Sequence, residues 1–177
     1  MNETGQFQPA GLAKKEIFEI AEALAVKLGF DQVSDNVSEV VERLGGAIEL
    51  EKDLMKLDSS GGKIEIRGPR SFTISVSPLS SATRDRFTIA HEIGHYVLHS
   101  QFGKYTGILE RNLDSQPIEW EANSFAAAFL MPLDKIVATI HEIGPFVSEL
   151  AMEFKVSEEA MEYRLKTLRE SGLLKGT

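Results

Sequence analysis

Residues 87–99 read FTIAHEIGHYVLH, with two histidines four apart and a glutamate directly after the first. On an α-helix each residue turns about 100°, which sets His91 and His95 about 40° apart and about 6 Å along the axis. Imidazoles so placed reach one ion from one face, the arrangement that metal-assisted hydrolysis requires. Glu92 falls about 60° round from His95, beside the pair, where a carboxylate can hold a water and take its proton. Ile89, Ile93, Tyr96 and Val97 cluster on the far side, so the polar stripe of this helix is its histidine stripe. Gly94 flanks that stripe. Glycine inside a helix costs about 1 kcal/mol relative to alanine, which predicts the close passage of another backbone or of a substrate.

The chain carries its own control. Residues 141–145 read HEIGP, with Pro145 where a second ligand would stand, so His141 belongs to a helix end rather than to a site. His99 stands four residues after His95, but on a regular helix it lies about 12 Å along the axis from His91, too far to share its ion. A packing role, or a hydrogen bond to a ligand from behind, suits it better.

Catalytic zinc takes three protein ligands and keeps one position for water. The chain has no cysteine, so the third ligand must be a carboxylate on a following element. The segment PIEWEANSFAAAFLMP (117–132) offers Glu119 and Glu121. Glu119 is the better placed: Asn123 lies four residues on, so a ligand and a neutral acceptor for a histidine N–H share one helical face. Glu121 lines up with Phe125 on a more apolar face. Glu119 also fits a role in stabilising the helix start, and Glu121 a surface charge. The FAAAFLM run reads as core, its alanines permitting close contact with the metal helix.

The elements that must position these groups follow from periodicity. Apolar residues at helical spacing predict helices over Leu12–Leu28 and Val37–Leu44, ended by Gly29 and by Gly45–Gly46. AIEL (47–50), KIEIR (63–67) and FTISVS (72–77) alternate apolar and polar residues between turn-forming stretches, which predicts a small antiparallel sheet with one buried face. The metal helix starts at a cap on Ser80 or Ser81. A polar loop (100–116) follows, then a helix opened by Pro117 and ended or bent at Pro132. The last segment reads as two helices about a tight turn, with Ser157 as N-cap. The organisation is a loose tail (1–11), a main domain (12–142) and a C-terminal helical segment (143–177) packed on it.

The 177 residues suit one domain of class α+β, with a zincin-type helical core. A net charge of −8 disfavours broad binding to nucleic acid or anionic membrane, both of which need a basic surface. No basic segment leads into an apolar run at the N-terminus, and FAAAFLM is too short to span a bilayer. These readings predict a cytoplasmic protein with no membrane partner.

RFTIAHEIGHYVLH (86–99), EWEANSFAAAFLMP (119–132) and ELAMEFKVSEEAMEYRLKTL (149–168), taken together with the small sheet, resemble the ImmA/IrrE-like zinc metallopeptidases over most of residues 35–170. The resemblance implies a gluzincin-like peptidase with one Zn2+, or another divalent ion, held by His91, His95 and a glutamate of the second motif, and with Glu92 as general base. Glu119-x-x-Ala122-Asn123 is similar to the Glu-x-x-Ala-Asp pattern of other zincins, with an uncharged residue at its last position. The resemblance also implies a helix-turn-helix repressor as protein substrate, cleaved to relieve repression in a stress response or a mobile element. Two other readings stay open: a metal-containing module that binds a repressor without hydrolysis, and a DNA-binding regulator using the C-terminal helices. The glutamates at the start of the last helix disfavour the latter, and no direct nucleic-acid contact is expected. For a peptidase, an extended substrate could pair with 72–77, and Tyr96, Tyr105 or His99 could steady the oxyanion.

Overall fold

The computed structural model describes residues 7–52, 62–110 and 116–174. The helices are α1 (Lys14–Leu28), α2 (Val37–Arg43), α3 (Ala82–Gly94), α4 (Gln116–Leu130), α5 (Leu133–Ile143), α6 (Val147–Glu153) and α7 (Glu158–Glu170). The strands are β1 (Gly46–Leu50), β2 (Lys63–Gly68), β3 (Ser71–Val76) and β4 (Gly107–Glu110), in the sheet order β1-β3-β2-β4. The α+β class holds, with α2 packed on β1 and α3 on β3 of a small sheet.

The sheet is mixed rather than antiparallel. β2 pairs antiparallel with β3 and with β4, whereas β1 runs parallel to β3, with Ile48 opposite Ile74. Alternation predicts a half-buried strand but not its direction; here β1 enters from α2, and its return to the sheet is by way of β2. The fourth strand falls inside the expected polar loop, where TGILE is too short to carry a clear period of two. Its presence also corrects the substrate edge: β3 is paired on both sides, and the edges are β1 and β4.

Local chemistry sets the helix ends. Ser81 caps α3 by accepting from Arg84 N–H, Asn36 caps α2 through Ser38 N–H, and Ser157 caps α7 through Ala160 N–H. Beyond Gly94 the chain does not stay α-helical. His95–His99 is a wider π-type turn, closed by Ser100 N–H on the His95 carbonyl at 3.0 Å.

The core runs from the sheet's buried face through α3 and α4 to α1 and the C-terminal helices. Phe30 stacks on Phe129 and Phe129 on Phe125, while Ile64, Ile66 and Ile74 supply the sheet's buried face. α4 is apolar nearly all round and buried through Phe125–Leu130, as a central helix must be. Among the described residues no single helix is long and apolar enough to cross a membrane; α4 and α5 have the composition together, but the chain bends by 48° at Met131–Pro132. Arg164 of α7 is fully buried, stacks on Phe18, and donates to the Met131 carbonyl and to Glu22 at 2.9 Å each. Burial lowers its pKa to about 10 against the opposing pull of Glu22.

The expected loose tail, 1–11, lies partly outside the described residues. Over its described part, Ala10 and Gly11 are tied by their backbone N–H groups to Glu121 of α4.

Candidate metal centre

α3 and α4 cross where both are small. A Cβ on Gly94 would stand 3.3 Å from Ala122 Cα and 3.2 Å from Phe125 Cδ1, so this glycine accommodates α4 rather than a substrate. The close crossing brings the two motifs face to face. His91 Nε2 lies 3.0 Å from His95 Nε2 and 3.2 Å from Glu119 Oε2, and His95 Nε2 lies 3.5 Å from Glu119 Oε1. Among the described residues, His91, His95 and Glu119 form the one cluster of three or more such ligand atoms lying within 4.8 Å of one another.

The protons on the far sides of the rings decide what these atoms offer. His91 Nδ1 is 2.9 Å from Asn123 Oδ1, an acceptor, so Nδ1 carries the proton and Nε2 a lone pair. His99 Nε2 is 2.9 Å from the Glu121 carboxylate and donates to it, which makes His99 Nδ1 an acceptor. His95 Nδ1, 2.9 Å away, then donates to His99 and presents its own lone pair at Nε2. Two imidazole lone pairs and a carboxylate therefore converge in a buried place. Their separations scatter about the edge of a tetrahedron with ligands about 2 Å from its centre, an edge of about 3.3 Å. The residues fit a divalent cation.

With no cation present, burial by itself would raise the Glu119 pKa, but hydrogen bonds and charge from His91 and His95 in their protonated forms outweigh it and hold the carboxyl well below the usual range. The site favours positive charge opposite that carboxylate. His99 is pushed down to about 4, first by burial and then by the neighbouring His95, against the pull of Glu121.

Glu121 does not turn towards the cluster. It is spent on His99 and on the amides of residues 10 and 11, so of the two glutamates only Glu119 joins the histidines. His99 stands behind His95, in the hydrogen bond to a ligand that its four-residue spacing allowed. With Glu121 on its other side, His99 is committed on both nitrogens. Tyr96 is committed as well, its hydroxyl accepting from Arg70 N–H and donating to the Phe102 carbonyl. The third oxyanion candidate, Tyr105, is half-buried.

Glu92 is buried, 2% exposed. Part of its cover is Gly62, at the head of β2: a Cβ there would stand 2.8 Å from Glu92 Oε1 and 2.5 Å from Thr88 Cγ2. Sequence reasoning missed Gly62 because a glycine in SSGGK reads as turn, and nothing local tells which helix it will touch.

A buried His-His-Glu cluster built across two helices under a small sheet is the centre of a metallopeptidase-type domain. Residues 48–166 match a peptidase family described as the IrrE N-terminal-like domain, and the chain belongs to that family. It is 34% identical over 103 residues to the radiation response metalloprotease IrrE of Deinococcus radiodurans, a match covering 55% of this chain and 31% of that protein. The chain thus spans about a third of the length of that relative. A Mycobacterium tuberculosis transcriptional regulator shares the fold with a TM-score of 0.60 over 87% of this chain and 47% of the other, at 18% identity.

Proposed function

We propose that the protein is a zinc-dependent endopeptidase acting in the cytoplasm on a helix-turn-helix repressor, whose cleavage relieves repression. The observation that carries the catalytic part is the convergence of the His91 and His95 lone pairs on Glu119, with Glu92 on the same helix. Zinc held by these three residues would supply a Lewis acid and bring the pKa of a water to about 7. Glu92 takes the proton of the attacking water and passes it to the leaving amine nitrogen. Asn123 and His99 hold the two imidazoles in the tautomers that face the centre. An extended peptide can add to an exposed edge of the sheet by backbone hydrogen bonds. β4 suits this, since its pairing of Glu110 with Lys63 puts its end beside Gly62 and so near Glu92.

The peptidase part is supported by membership of the IrrE N-terminal-like family and by likeness to a radiation response metalloprotease; the repressor as substrate comes from the resemblance of the sequence motifs alone. The competing DNA-binding reading is weakened by α7 itself. Its exposed first turn is Glu158 and Glu159, and its Arg164 is spent inside the core, where neither phosphates nor base edges can be met.

The test is Glu92→Gln, assayed on purified helix-turn-helix repressors by mass spectrometry. Zinc content should stay at the wild-type level while cleavage falls by about 10²–10⁴. Undiminished cleavage would remove Glu92 from the chemistry, and relief of repression by the uncleaving variant would favour the binding-only module.

A further inference from the structure

The N-terminal strap Pro9–Gly11 lies outside the reading above, yet it is wired to the centre. Phe7 packs beside Gly107 of β4, where a Cβ would come within 3.1 Å of its ring. Ala10 N–H then donates to Glu121 Oε2 and Gly11 N–H to Glu121 Oε1, each at 2.8 Å, before the chain turns into α1. Glu121 is almost fully buried, 3% exposed, and its Oε2 also receives His99 Nε2–H. Both carboxylate oxygens thus face N–H donors only, and the group can act only as an acceptor.

We infer that this strap is a positioning element of the metal centre: its two amides fix Glu121, Glu121 fixes the proton of His99 on Nε2, and His99 thereby fixes the proton of His95 on Nδ1. The direction of the relay matters because it can run the other way. Without Glu121 as acceptor, His99 can carry its proton on Nδ1 and donate it to His95 Nδ1. His95 would then hold its own proton on Nε2, the atom that must offer a lone pair. His91 is exempt, since Asn123 fixes it independently. Docking of a surface segment is in this way coupled to metal affinity. Partners behind a metal-binding histidine typically set affinity within 10–100-fold.

The inference rests on the zinc reading for its consequence but not for its test. Histidine 15N resonances of the metal-free 177-residue chain report which nitrogen of each ring is protonated, and with four histidines they are assignable by substitution. Zinc affinity is read in parallel by competition with a chromophoric chelator. Ala10→Pro removes one strap amide without touching the centre; it should shift His95 and His99 but not His91, and weaken zinc binding about tenfold. Glu121→Gln puts an N–H donor among donors and should do the same more strongly. His99→Gln, which can accept from His95 and donate to Glu121, should stay near wild type, whereas His99→Leu should not. His95 resonances and zinc affinity unchanged in both Ala10→Pro and Glu121→Gln would overturn the strap. Wild type without zinc affinity but with His95 protonated on Nδ1 would retain the relay and remove the metallopeptidase reading.

Discussion

A histidine presents one lone pair only if something else holds its proton, and at this centre each ring has a different holder. For His91 it is Asn123, a neutral acceptor. Asn123→Ala leaves Nδ1–H without its partner and the ring free to turn or change tautomer. Zinc affinity should fall about 10–100-fold with thermal stability little changed, measurable by chelator competition; wild-type affinity would mean that the ring is held by packing alone. The residue types and spacing on α3 made His91, Glu92 and His95 legible in the sequence, because ligands on one helix are fixed by helical geometry alone. Glu119 was separable from Glu121 by its relation to Asn123 and by the apolar face on which Glu121 lines up with Phe125. What Glu121 does instead was not legible: its partners are 22 residues away at His99 and 110 and 111 away at Gly11 and Ala10, and no local period records such a contact.

At the level of elements, the centre depends on how closely α3 and α4 approach. Gly94 and Ala122 set that distance. Gly94→Val should destabilise the fold by about 1–3 kcal/mol through overpacking, read as a lowered denaturation midpoint. It should also weaken zinc binding, as Glu119 is carried away from the histidines. Full zinc affinity in a folded Gly94→Val chain would show that the crossing is not what positions Glu119. Helices were readable because their apolar stripes and caps are local. The sheet was readable only as strands: β1's parallel direction and the short β4 are set by tertiary pairing, and the π-type turn at His95–His99 leaves no periodic signal over five residues.

For the molecule as a whole, the buried relay makes stability depend on pH. His99 in the folded metal-free chain has its pKa lowered from 6.5 to about 4 by burial and by His95. Between these values the unfolded chain binds the proton and the folded chain does not, so the unfolded state gains as pH falls. The contribution is complete above pH 6.5 and is lost progressively towards pH 4. In urea denaturation, metal-free wild type should lose stability relative to His99→Gln as pH falls from 6.5 towards 4; a constant difference across that window would contradict the buried neutral imidazole. The central claim is that His91, His95 and Glu119 hold one zinc ion, and elemental analysis of purified chains tests it most directly. About one zinc per chain in the wild type, lost in both His91→Ala and Glu119→Ala, is the predicted result. A wild type that takes up no zinc when supplied with it, or a Glu119→Ala chain that keeps its full complement, would contradict the account.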